Sequence, residues 1–386
     1  MLGVFCVRGA AGAVYYVDDD AGAGGDGRSW ETAYKYLQDA LYDSALANGD
    51  TIRVAAGTYT PDKDEGGNVT LTDRTATFQL INGVELYGGY AGVPGANPDE
   101  RNVDTYISIL SGDLAGNDEP NFVNYSENSY HVVAGSGTDA TAVLDGFIIS
   151  GGNANGDGLN SQGGGMFNDN GSPTVTNCTF TENTSIAFGG GMYNYSYSSP
   201  TVTHCIFKDN HAGNYGGGME NDLYCSPTVT ACTFSSNTST NGGGIDNFIN
   251  CNPTVIDCTF SNNSATIGGG MTNWGSSPML IKCTFTGKSA TENGGGIYDN
   301  GSSPTVTRCT FSGNTASLTG GGMYNYNGSP IVTNCTFSRN TVSQYGGGIY
   351  NRGDSCPVIT NCILWGDSAP TGAEIYNLSL IHISEP

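Results

Sequence analysis

From about residue 150 to residue 370, short apolar runs alternate with turn-forming polar residues on a fixed beat. Gly-Gly-Gly followed by Met or Ile starts at Gly163, Gly189, Gly216, Gly242, Gly268, Gly294, Gly320 and Gly346, at intervals of 26 or 27 residues. A second string, typified by TVTNCTF from Thr174 to Phe180, places Cys at 178, 205, 232, 258, 283, 309, 335 and 362, at intervals of 25 to 27. Two markers held in phase over eight copies define a repeat. Each unit is too short to bury a core alone and has no helical period. Its β-branched and aromatic runs are separated by Gly, Asn, Ser and Pro. The pattern predicts an all-β solenoid with one turn of coil per unit, successive turns pairing in parallel about 4.8 Å apart.

The alternation assigns faces. Asn177 becomes His204, Ala231, Asp257, Lys282, Arg308, Asn334 and Asn361 in later copies, a tolerance that marks an outward position. Cys178 and Phe180 then point inward. Val175 is also apolar although strict alternation sends it outward, which calls for a bend before Asn177. After each glycine triplet, Met or Ile points inward, and so does the Asn two residues on: Asn168, Asn194, Asn221, Asn247, Asn273, Asn325 and Asn351, with Asp299 as the exception. A second Asn row (Asn183, Asn210, Asn237, Asn263, Asn314, Asn340) is interrupted by Lys288 and Asp367. Stacked amides suit such corners, bonding to the next turn and to local backbone.

The chain divides into residues 1–13, 14–150, 151–370 and 371–386. The first segment, MLGVFCVRGAAGA, reads as the remnant of a secretory signal ending in Ala11-Gly12-Ala13. Residues 14–150 read as a cap and irregular early turns: a strand at 14–17, a helix from Trp30 to about Ala47 capped by Ser29, then early turns carrying long loops at 51–59, 77–87 and 142–150. That helix would cover the open end of the coil. The last residues, LSLIHISEP, abandon the repeat and resemble translated sequencing-adaptor sequence.

Charge and composition narrow the function. The chain has 13 basic and 36 acidic residues, a net charge of −23, which repels phosphate backbones and argues against nucleic acid as a partner. No apolar run reaches the roughly 18–20 residues of a membrane helix. Of 12 cysteines, eight form the repeat row and read as small buried hydrophobes. Cys225 and Cys251, in one corner of consecutive turns, are a candidate disulfide. Gly287-Lys288-Ser289 lacks the glycine and helix of a phosphate loop, and Arg352-Gly353-Asp354 is a common coincidence in loop-rich chains. No cofactor is implied. Calcium is a candidate at Asp18, Asp20 and Asp26, or around Asp113, Asp118 and Glu119, with solvated acidic loops the plainer alternative.

Two outward rows carry the remaining chemistry. One reads Phe167, Tyr193, Glu220, Asp246, Thr272, Tyr298, Tyr324, Tyr350; the other Asp169, Tyr195, Asp222, Phe248, Trp274, Asn300, Tyr326, Arg352. Tyr195, Phe248, Trp274 and Tyr326 are candidates for stacking on sugar rings, although aromatics also serve to cover neighbouring strands. Glu220, Asp222 and Asp246 lie on neighbouring turns, near the separation that glycosidase carboxylates use.

The paired signatures, GGG[MI] and F-x-x-N (Phe180 to Asn183, Phe207 to Asn210), resemble the repeats of chlamydial polymorphic outer-membrane proteins. The leader YYVDDDAGAGGDGRSWETAYKYLQDAL, with IRVAAGTY and GVELYGGYAG, is similar to the N-terminal segment of bacterial surface proteins built as right-handed parallel β-helix repeats. The resemblance covers residues 14 to about 370. It implies a pectate-lyase-like right-handed solenoid, export to the bacterial surface or outer membrane, and an adhesin-like role; the anchoring module expected of such proteins has no counterpart in these residues. It brings no catalytic residues. Three functions follow as expectations: a glycan- or cell-surface-binding scaffold first, a polysaccharide-active enzyme second, a purely structural stalk third.

Overall fold

A computed structural model describes residues 12–63, 68–70, 72–93 and 95–378. The expected signal remnant and adaptor-like tail therefore lie almost wholly outside the described residues. Three long parallel sheets run the length of the solenoid. One has 12 strands, from Val14–Val17 through Thr174–Thr176 to Val358–Thr360. A second, of 11 strands, carries the residues after the glycine triplets, from Phe78–Gln79 through Met166–Asp169 to Ile375–Leu378. The third, also of 11, carries the Phe row, from Gly57–Tyr59 to Ile363–Trp365. The early turns thus join the same sheets as the repeats.

Equivalent residues pair in register from turn to turn, as Met166 with Met192 and Phe180 with Phe207. Identical side chains consequently stack. Seven Phe rings from Phe180 to Phe337 form one column, with centroids 4.5 to 5.0 Å apart and planes within 9° of parallel. The Met/Ile row and the Val175 and Cys178 rows fill the rest of the core. Val175, Cys178 and Phe180 all face inward because Asn177 itself is left-handed, with φ of 50°. Its equivalents His204, Ala231, Asp257, Lys282, Arg308, Asn334 and Asn361 share that conformation. The bend sits at the variable residue, not before it. Such a conformation costs about 1–2 kcal/mol in a residue with a Cβ, and the packed rows on either side enforce it.

The glycine triplet is a second corner. Gly189 has φ of 59°, and a Cβ on Gly190 or Gly191 would lie 2.4 or 2.5 Å from a carbonyl oxygen of the next turn. The first glycine serves the turn; the next two allow the close approach. Both Asn rows are buried ladders. Asn168 donates through Nδ2 to Asn194 Oδ1 at 2.8 Å, and the chain continues through Asn221, Asn247 and Asn273. Asn210 Nδ2 donates to Phe180 O and to Asn237 Oδ1.

The capping helix is much shorter than expected. Trp30–Thr32 makes one 3-10 turn, and only Leu37–Leu41 is α-helical, with Leu37, Ala40 and Leu41 in the core. Between them the backbone is extended, and Tyr34 exchanges backbone hydrogen bonds with Tyr16 and Asp18. That pairing with the first strand takes the backbone groups a longer helix needs. Ser29 makes no side-chain cap bond.

Candidate functional site

The two rows after the glycine triplets share the outer side of the second sheet, but they do not share its exposure. Glu220, Asp246, Tyr193, Tyr298, Tyr324 and Tyr350 are all buried, with Glu220 and Asp246 only 2% and 0% exposed. The expectation of solvent-facing carboxylates at these two positions is overturned. The cause lies in the segment before each triplet. Left-handed Gly242 turns that segment back over the sheet, and a Cβ there would lie 2.9 Å from Asp246 Cβ. The folded-back residues form a rail of their own: Phe188, Tyr215, Asn241 and Ile267 bridge in parallel, as do Asn293, Thr319 and Tyr345.

The second row stays partly open. Tyr195, Asp222, Phe248, Trp274 and Tyr326 are half-buried along one shallow groove edge, and Arg352 is exposed. Tyr215 meets Phe248 across the groove at 6.1 Å between centroids, and Trp274 meets Tyr298 at 5.6 Å. The Trp274 indole nitrogen is covered yet has no acceptor. Towards the C-terminal turns, Tyr298, Tyr324 and Tyr350 stack at 4.7 and 5.2 Å. There the groove opens into a depression of about 330 Å³ lined by Asn293, Thr319, Tyr324, Tyr345, Tyr350 and Arg352. Tyr345 and the rest of the rail escaped the sequence reading. Its signal was present as the residue immediately before each triplet.

Acids occupy the middle of the groove. Glu220 and Asp246 pair in register, and Glu220 Oε2 and both Asp246 oxygens lack any hydrogen-bond donor. Burial, and for Glu220 the adjoining Asp246 carboxylate, raise both well above the ordinary carboxylate range. Asp222 is also raised by burial, but the Tyr193 hydroxyl donates to its Oδ2 at 3.1 Å and opposes the shift.

The other candidates separate cleanly. Asp18, Asp19 and Asp20 cluster, but Asp18 accepts the Asp20 and Val93 amides and Asp19 accepts that of Thr58. Asp26 stands apart from them, exposed, accepting from Arg28 N and the Thr32 hydroxyl. Cys225 and Cys251 are free thiols, not a disulfide. Their parallel side chains form a ladder instead, with the Cys225 amide donating to Cys251 Sγ at 3.1 Å. Serine fills the same role in neighbouring turns, where Cys251 N donates to Ser276 Oγ. Alkylation of the native protein is therefore expected to label exposed Cys356 quickly and the buried Cys225 and Cys251 only after unfolding. A cross-linked Cys225–Cys251 peptide in the digest would contradict this.

The family described as right handed beta helix region matches residues 116–288 and 275–384. The chain belongs to this family. The β-helix so identified accounts for the sheet order and the in-register turns. No curated protein matches the chain. Among solved structures, the β-helix is similar to pectate lyase Pel9A, at 13% identity over 94% of this chain and 80% of that one, with a TM-score of 0.42. It is also similar to the A-module of the Azotobacter vinelandii mannuronan C-5 epimerase AlgE4, at 14% identity over 94% and 99%, with a TM-score of 0.40. A rhamnogalacturonan lyase is similar at 12% identity over 92% and 75%, with a TM-score of 0.33. Likeness at these levels brings no residue roles to the β-helix.

Proposed function

We propose that the protein is an exported cell-surface scaffold that binds glycan along the aromatic groove, without cleaving it. The observation that carries this reading is Trp274, a half-exposed ring on the groove edge that can stack on the face of a sugar. Phe248 beside it and Tyr326 two turns on extend the platform along the solenoid axis. Export to a bacterial surface rests on the leader and the resemblance of the repeats. Burial of Glu220 and Asp246 speaks against their meeting a substrate.

The second reading is a polysaccharide-active enzyme, favoured by Asp222 alone. It is the one acid of the three that remains half-open, and its raised affinity for a proton suits a general acid. The full chain should be tested against neutral and acidic polysaccharides, scoring retention, tryptophan fluorescence and new chain ends. Retention without cleavage is expected, with affinity falling about tenfold or more in Trp274→Ala. Chain ends that disappear in Asp222→Asn would replace this reading with the enzyme. Neither retention nor cleavage would leave the stalk.

A further inference from the structure

The loop between the early turns and the first repeat holds a group of acids that the groove does not use. Asp113 follows the strand Ser108–Ser111, Asp118 closes the loop, and the 3-10 turn Tyr125–Glu127 brings Glu127 back to them. One carboxylate oxygen from each of Asp113, Asp118 and Glu127 lies within 4.8 Å of the others. Glu119, the third residue suggested by sequence, is not in the group; the 3-10 turn substitutes a residue eight positions later.

Acidic clusters are common on surfaces, and Asp18–Asp19–Asp20 shows how they are usually settled, by backbone amides. In the second cluster Asp113 is settled the same way, by the amides of Gly116, Asn117 and Asp118, and the difference lies in the other two acids. Asp118 Oδ1 and Glu127 Oε1 are covered and have no donor. Asn128 is 0% exposed and lies against the cluster, its Nδ2 donating to Asp118 Oδ2 at 2.8 Å and to Gly151 O at 2.6 Å. Those two bonds fix the amide orientation, and its Oδ1 is left without a donor. Two covered carboxylate oxygens, and a third covered oxygen on the adjoining Asn128, therefore lack a positive partner. Crowding by Asp113, Glu127 and Glu182 adds to burial in pushing Asp118 up to about 7.

We infer that Asp113, Asp118, Glu127 and the Asn128 side-chain carbonyl form a calcium site. An all-oxygen set of carboxylates and an amide carbonyl, on a loop able to supply further carbonyls or water, is the ligand chemistry of that ion. Its placement gives it a structural task. Tyr125 donates its hydroxyl to Glu182 O at 3.1 Å, and Asn153 Nδ2 donates to Tyr125 O, so the loop is already tied to the first regular turn. The ion would lock that tie and seal the junction between irregular and regular turns.

The test uses the full chain freed of metal with a chelator and titrated with calcium chloride. Calorimetry should show a saturable site, and the thermal midpoint should rise by about 3 °C or more at a hundredfold excess over Kd. Both effects should vanish in Asp118→Asn/Glu127→Gln and persist in Asp20→Asn. If the double variant fails to fold, Glu127→Gln alone should weaken calcium binding at least tenfold. Terbium luminescence excited through nearby Tyr125 should appear in the native chain and be displaced by calcium. No binding, binding retained in the double variant, or an equal response to magnesium would each overturn the assignment.

Discussion

Replacing Lys288 with Asn is expected to stabilise the protein, although it removes a nearly filled core position. Lys288 stands in the second Asn row and is only 1% exposed, with Nζ donating to Thr286 O at 3.1 Å and no carboxylate beside it. Burial pushes its amine down from the usual lysine range to about 6. The folded protein therefore holds a neutral amine at pH 7.5, while the unfolded chain protonates it. At about 1.4 kcal/mol per pH unit, that difference costs on the order of 4 kcal/mol. Asn at 288 would accept the Asn263 amide as Asn263 Oδ1 accepts that of Asn237. Its shorter side chain leaves some volume empty, so the net gain should be about 2–3 kcal/mol. Lys288→Met, which keeps the volume and drops the charge, should also raise the urea midpoint. A lower midpoint in both variants would show that the amine makes a stabilising bond of its own.

With Lys288 replaced by Asn, stability should also fall as pH rises from 5 to 8, the reverse of the usual acid lability of proteins. Asp299 interrupts the first Asn ladder and is fully buried. It accepts from Asn273 Nδ2 at 2.7 Å, but its Oδ2 and the Asn325 Oδ1 of the next turn both lack a partner. By position Oδ2 replaces the amide nitrogen that would donate to Asn325, so a proton there restores the chain of bonds. Burial raises Asp299 to about 7. A raised carboxyl binds its proton more tightly folded than unfolded. Its stabilisation is complete below about pH 4 and is lost as pH climbs through 7. Glu220 and Asp246, raised by burial, act in the same sense. Together they should remove at least about 3 kcal/mol between pH 5 and 8. Lys288 opposes the trend above pH 6, since its penalty shrinks by about 1.4 kcal/mol per pH unit towards the lysine range and offsets most of that loss by pH 8; Lys288→Asn lays the decline bare. Asp299→Asn should make it shallower. Urea midpoints of Lys288→Asn at pH 5, 6.5 and 8 would check this, and a midpoint of that variant that rises with pH would sink it.

Much of this architecture is written in residue spacing, because a solenoid stacks like on like. The Met, Val, Cys, Phe and Asn rows each follow from one register. Even Lys288 and Asp299 announce themselves as breaks in a row. The failures are places where a second segment decides. Tyr34 leaves the expected helix because the first strand offers it hydrogen bonds. Glu220 and Asp246 point outward as alternation requires, yet the segment turned back by Gly216 and Gly242 covers them. Alternation describes one strand and its two faces; it has no way to count what later folds over a face. Glu127 was missed for the same reason, being delivered by a turn eight residues beyond the acid that proximity in sequence suggested.

In-register pairing also bears on how such a chain changes over generations. Every regular turn presents nearly the same surface above and below, so each can follow any other. A copying slip between two repeats of the gene would add or delete whole turns while leaving every column aligned. Overall length is then free to drift in quanta of one turn, whereas an insertion within a strand would throw the rows of that turn out of phase with its neighbours.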